Sequence, residues 1–403
     1  MQCTSRFFKT HTPWLASVAF VLFQFFLQLS SGVVIGEIMQ ERHLSALTAG
    51  LLSAIFYVIY TGLQVPVGVF FDRKNTRLLM SCSALVCSLG CFVFAASTSL
   101  LGLFMGRLLI GAGSAFAFIG LSHVLRVHYP VKQFAFMIGL SETLGFLATV
   151  LGMLLMGSLL SHWGWRGFIH GTGFIGLVVA YACFILIPNE KRVDRPTTSL
   201  FLPLRAIFFS INTWINGLFV GLSFTVVTVF GALWAVPFLQ AKLSCGIREA
   251  SSLSALFFFG TALSCPLFGW LSARYEDNRK ELIITSCLST ALLLIILLFL
   301  PTHSKTLVSV LTFLVGLCCG AYMLAYSIAN ELSPTGSQST CAGFTNMLAV
   351  LITPILQPVI GSLLDTFNQG GLYTLLDYQK ALLMIPFSLI LASVLVMFLP
   401  KKQ

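Results

Sequence analysis

Charge is what this sequence has least of. Asp, Glu, Lys and Arg together make up 9% of its 403 residues, and Asp and Glu number 13. A soluble domain carries about a quarter charged residues. With 57% of the residues hydrophobic, no soluble core can hide the apolar surface, so lipid is the solvent for most of the chain. Chemistry-bearing motifs are lacking too. There is no HExxH, no GxSxG, no His/Asp cluster inside an apolar run and no phosphate-binding loop. That argues against an enzyme and against a nucleotide-driven pump, and leaves no cofactor and no metal site to expect. The 11 cysteines sit mostly in apolar runs, as do Cys87, Cys91, Cys287, Cys318 and Cys319, and lack zinc-ligand spacing. In lipid such a cysteine is a small hydrophobe. The net charge of +10 is scattered over short gaps rather than clustered, which excludes a nucleic-acid partner.

What is present is a succession of long apolar runs. A span needs about 20 such residues. The sequence predicts twelve: 14–38, 46–71, 78–98, 101–125, 133–160, 166–188, 211–239, 250–273, 281–300, 306–330, 338–364 and 381–399. The first is too long for a signal-peptide core and is kept as a span. The longest gap is NEKRVDRPTTSLFLPLR, polar and central. It divides the chain into a six-helix half at 1–188, a loop at 189–205 and a second six-helix half at 206–403. The expected class is an all-α membrane protein.

Lys and Arg set the orientation. With both termini cytoplasmic, six basic residues face outward: Arg42, Arg166, Lys242, Arg248, Lys305 and Lys380. Arg107 lies inside a span, and the other sixteen of the 23 face inward. The two halves also repeat. GLSETLGFLATVLGMLLMGSLL at 139–160 aligns without gaps to GFTNMLAVLITPILQPVIGSLL at 343–364, with eight of 22 positions identical. LSAIF at 52–56 echoes LSALF at 253–257, Gly68 matches Gly269, and Arg73 matches Arg274. Halves with an even number of spans are related by an axis along the membrane normal and leave a cavity between them.

The stretch GVFFDRKNTR after span 2 places Gly68, Asp72, Arg73 and Arg77 in the pattern G-x-x-x-D-R-x-x-x-R. This resembles the loop 2–3 signature of the major facilitator superfamily, and the resemblance covers the whole chain. Asn75 stands where the family usually has Gly, and Ala273 replaces the acid in the second copy. The resemblance implies twelve helices in two pseudo-symmetric halves and a cytoplasmic gate. In that gate Gly68 admits a neighbouring helix, and Asp72 caps a helix of the other half. Arg107 in GRLLIGAGSAFAFIG resembles the superfamily's span-four motif, linked there to proton coupling. Gly111 and Gly113 suit close helix packing.

Ionisable groups inside spans are functional candidates. Arg107 stays charged, so its role is to bias a nearby acid or to bind an anion. Glu142 lies about nine residues into span 5, and its repeat partner is Asn346. Both are expected to face the shared cavity, with Glu142 a candidate proton carrier. Their depths argue against direct pairing of Arg107 with Glu142. Candidate cavity residues are Tyr57, Tyr60, Gln64, Trp234, Tyr322, Tyr326 and Gln357. Tyr57 and Tyr60 share one helix face, as do Tyr322 and Tyr326.

These readings converge on a monomeric carrier in a bacterial inner membrane. It moves a small solute by alternating access, driven by protons. One uncompensated Arg and several amide and phenol donors suit a carboxylated solute: an amino acid, an organic acid or a carboxylate siderophore. Span 5 lacks the Gly-Pro pair of superfamily antiporters, which favours uptake by symport. Proton-coupled efflux of a drug or siderophore stays open, because aromatic and Met-lined cavities suit such cargo. A transporter-like sensor is the third reading, and the lack of an added soluble domain weighs against it.

Overall fold

The computed structural model describes residues 2–29, 31–189, 205, 207–275, 278–332, 338–368 and 372–399. These form twelve helices long and apolar enough to cross a membrane. Spans 1 to 6 run His11–Arg42, Ala46–Gly68, Thr76–Ala96, Leu100–His128, Met137–Met156 and His162–Leu186. Spans 7 to 12 run Ile211–Leu243, Ile247–Ser272, Arg279–Phe299, Lys305–Ala329, Gly343–Phe367 and Leu375–Met397. No strand occurs among the described residues. The twelve expected spans are therefore found, with ends shifted by several residues. Most of the loop expected at 189–205 lies outside the described residues.

Lipid-facing side chains stay apolar and exposed, as at Leu101, Val178 and Phe387. The buried interior mixes aliphatic and aromatic side chains with small and polar ones. Spans 5 and 6 run on as one helical stretch, Val131–Leu186, broken at Gly164. That residue has φ +65°, a backbone state glycine reaches without the strain a side chain brings.

Span 7 widens into a π-helix at Val226–Trp234. Pro237 stands just beyond it and has no N–H to give back to Leu233. Prolines also bear on span 11, whose helix restarts as Thr353–Phe367 with Pro354 in its first turn. There the carbonyls upstream need no N–H from proline.

Successive spans alternate in direction. One face of the bundle, the terminal face, carries the start of span 1 and the end of span 12. The opposite, distal face carries the turn between spans 1 and 2. At the distal face the two halves meet main chain to main chain. A Cβ added to Gly361 on span 11 would lie 2.4 Å from the Ala46 carbonyl oxygen. One added to Gly50 on span 2 would lie 2.7 Å from that of Gln357, and one on Gly32 would lie 2.5 Å from that of Leu233. Toward the terminal face, among the described residues, Gly68, Gly139, Gly269 and Gly343 have no atom within 4 Å of such a Cβ.

Candidate functional site

The site starts from span 4. Gly111 lets this helix lie against span 2, where an added Cβ would come within 2.6 Å of the Phe56 carbonyl oxygen. That approach brings the Arg107 guanidinium over the Phe56 ring, 5.1 Å from its centroid. Arg107 is 4% exposed. Its Nη1 donates to the Leu27 carbonyl on span 1 at 3.3 Å. Its Nε and Nη2 have no hydrogen-bond partner. Those two nitrogens form the side edge of the guanidinium, the fork that takes both oxygens of a carboxylate. The polar side chains that act on Arg107 electrostatically are Tyr57, Cys91 and Cys87. Among the described residues no acid pairs with it.

Two glutamines on span 1 extend this cluster. Gln24 Nε2 donates to Gln28 Oε1 one helical turn away. Gln28 in turn lies next to Tyr57, whose buried hydroxyl has no hydrogen-bond partner. Gln24 is fully buried, and its Oε1 accepts no hydrogen bond. Neither residue stands out by charge, although two amides four apart in the middle of an apolar run are a legible signal.

Glu142 lies where the halves meet. It is 5% exposed, and the buried carboxyls among the described residues are Glu142 and Asp377. Asp377 is absorbed by a capping box with Thr374. Glu142 has none of this. It acts electrostatically on Tyr60 of its own half and on Cys265, Tyr322 and Tyr326 of the other. Its repeat partner Asn346 reaches the same place. Asn346 Nδ2 donates to Gln64 Oε1 across the two halves at 2.9 Å, and Tyr326 donates to Asn346 Oδ1 at 2.6 Å. Tyr57 and Tyr60, on one face of span 2, connect the arginine cluster to this layer. Arg107 and Glu142 form no ion pair.

The remaining candidates are spread out. Tyr322 packs on Phe224 at 4.7 Å and lies 3.7 Å from Cys265 Sγ. Trp234 is buried in the π-helix, and its Nε1 has no partner. Gln357 donates to the Thr228 carbonyl at 2.9 Å within its own half, leaving Oε1 without a partner.

In the loop signature, the Asp72 and Arg73 side chains lie outside the described residues. Among the described residues no atom lies within 4 Å of a Cβ added at Gly68. Arg77 stacks on Phe184 of span 6, 4.0 Å from the ring centroid, within its own half. In the other half, Arg279, one residue past the position equivalent to Arg77, grips Glu331 through two hydrogen bonds of 2.8 and 2.5 Å.

An unexpected contact closes the distal face. Asp365, in the last turn of span 11, accepts from the Ala46 and Leu47 N–H groups at 3.0 and 2.9 Å. These are the first amides of the span 2 helix, which begins after the cap Ser45. Tyr373 donates to Asp365 Oδ1 at 2.5 Å and accepts from Ala46 at 2.9 Å.

Residues 15–352 and 213–403 match the sequence profile described as Major Facilitator Superfamily. The chain is 22% identical to an uncharacterized transporter, YybO, of Bacillus subtilis (strain 168), over 91% of this chain and 92% of that one. It is 21% identical to a probable L-galactonate transporter of Escherichia coli (strain K12), over 82% and 77% of the two chains. Its fold matches a bacterial homolog of the human lysosomal transporter Spinster, inward-facing and occupied. The TM-score is 0.72, with 17% identity over 96% of each chain. The twelve helices, the likeness between the halves and the matched profile agree: the chain belongs to the Major Facilitator Superfamily and is a secondary transporter.

Proposed function

We propose that the protein takes up a small organic carboxylate by proton symport. The observation that carries this reading is the buried Arg107, whose Nε and Nη2 edge lacks any partner among the described residues. An unpaired guanidinium in a low-dielectric interior is costly, and an anion bound edge-on offsets that cost. The relative named for L-galactonate carries a carboxylate, which supports the same class.

Glu142 carries the proton in this reading. It sits beside Tyr326, which donates to the Asn346 that binds Gln64 across the halves. A change in its charge therefore acts next to a hydrogen bond joining the two moving parts. Gly68, Asp72, Arg73 and Arg77 form the cytoplasmic gate of the opposite conformation. The two halves, 1–188 and 206–403, rock about the site as a monomer. The terminal face is cytoplasmic in a bacterial inner membrane, as the distribution of Lys and Arg supports.

Reconstitution in liposomes loaded with a pH dye tests the reading. Adding pooled carboxylates outside should acidify the lumen. Alkalinisation would assign the chain to antiport and efflux, and an unchanged signal would remove Glu142 from proton work.

A further inference from the structure

The fork of Arg107 accounts for an anion but not for the acceptor near it. Gln24 Oε1 is fully buried and accepts nothing, while the Nε2 of the same amide is held by Gln28. Gln28 lies next to Tyr57, whose buried hydroxyl has no hydrogen-bond partner, and Tyr57 acts on Arg107 electrostatically. A polar strip on spans 1, 2 and 4 thus has a doubled donor at Arg107, the unpartnered Tyr57 hydroxyl beside it, and a lone acceptor at Gln24. A buried acceptor without a donor is rare unless a ligand or water supplies one. The molecule that satisfies both ends has a carboxylate and, further along, a hydrogen-bond donor.

The donor's chemistry follows from what surrounds it. An ammonium group carried into a buried site needs a carboxylate beside it. Glu142 acts on Tyr60 and on three side chains of the other half, and no acid acts on Arg107 or pairs with Gln24 among the described residues. A neutral amide oxygen suits a neutral hydroxyl. The donor order also has a direction. Gln24 lies one turn closer to the terminal face than Gln28, so the carboxylate sits deep and the hydroxyl sits toward that face.

Resting on the carboxylate reading above, we infer that Gln24 is the specificity-determining residue of this carrier, accepting from a hydroxyl of the bound anion, so that the substrates are hydroxy acids. A site built to pair with a hydroxyl discriminates against the analogue lacking it, because its own polar group is then left unpaired.

The test uses purified full-length protein and matched ligand pairs: gluconate and hexanoate, malate and succinate, lactate and propionate, with glycolate against glycine. Binding is read by thermal shift and by competition for uptake into liposomes. In wild type, at least one hydroxy acid should bind about tenfold or more tightly than its deoxy partner. Gln24→Ala should bring that hydroxy acid down to the level of its partner, and Gln24→Asn, which keeps the amide but shortens it, should restore part of the gap. Arg107→Gln should abolish binding of both members.

Equal binding within every pair, with Arg107 still required, overturns the role of Gln24 and leaves the carboxylate reading standing. So does an unchanged preference in Gln24→Ala, or a preference for glycine over glycolate. Binding that survives Arg107→Gln, or no binding by any carboxylate, overturns both. Elution of each variant as a monodisperse peak separates loss of recognition from loss of fold.

Discussion

Asp365 and Ala46 are 319 residues apart, yet the carboxylate of one accepts from the first helical N–H of the other at 3.0 Å. With the second bond to Leu47, one half of the transporter caps a helix that belongs to the other half. The positive end of that helix adds to the attraction.

The capping bond should act as a latch. A cap side chain contributes about 0.5–2 kcal/mol. Asp365→Ala should therefore shift the balance toward an open distal face by roughly 2- to 30-fold. Spin labels at positions 101 and 372, both exposed, would report it as a longer distance in a cysteine-free background. An unchanged distance distribution would reduce Asp365 to a local helix cap.

Tyr373 gives the latch its pH range. Burial first, and Asp365 beside it, push its phenol up to about 12 from an ordinary 10.0. A raised phenol favours the latched form at low pH, where the hydroxyl is still a donor. The contribution is complete below about 10 and is lost as pH rises toward about 12. The spin-label distance in wild type should stay constant from pH 6 to pH 9. A widening in that range would show that a different group controls the latch.

Gly361→Val should block closure by bulk rather than by charge. Even a Cβ at this position lies 2.4 Å from the Ala46 carbonyl oxygen, and main chain cannot swing aside. The variant should insert in the membrane, bind substrate from one side and fail to translocate it. Normal uptake by it would mean that the two helices separate far more easily than their packing implies.

For Arg107, charge alone should not suffice. Lys keeps the charge but loses the fork that grips two oxygens at once. Hydrogen bonds to charged groups are worth about 1.5–3 kcal/mol. Arg107→Lys should accordingly weaken carboxylate binding by roughly 10- to 150-fold, measured as Kd by calorimetry. Near-wild-type affinity in the lysine variant would exclude bidentate recognition.

Glu142→Gln keeps the shape and removes the titration. Uptake by the variant should lose its dependence on pH, and counterflow of substrate should persist, because exchange needs no net proton movement. A wild-type pH profile would make the carboxyl structural.

Much of this was legible from the residues alone. Length and apolarity mark each span because lipid tolerates little else. Repeat alignment paired Glu142 with Asn346, and both reach Tyr326. The pairing of spans 2 and 11 was not legible. Asp365 closes an apolar run, where an acid reads as a loop marker, and its partners are backbone amides that no side-chain pattern reveals. The isolation of Arg107 from Glu142 followed from depth, whereas Gln24 went unremarked because uncharged amides are easily passed over beside charged groups. Gly68 shows a different limit. Its motif implies a contact between halves, and the Asp72 and Arg73 side chains that would share in it lie outside the described residues.

The described contacts between the halves differ in what must move to break them. Gln64 and Asn346 join the halves through a side-chain hydrogen bond, and a rotamer change that breaks such a bond is far faster than a helix shift. At Gly50 and Gly361 the barrier is backbone against backbone, so nothing short of whole helices shifting will part it, on the microsecond to millisecond scale. The bond between Gln64 and Asn346 can therefore break and re-form many times before the helices at Gly50 and Gly361 part once.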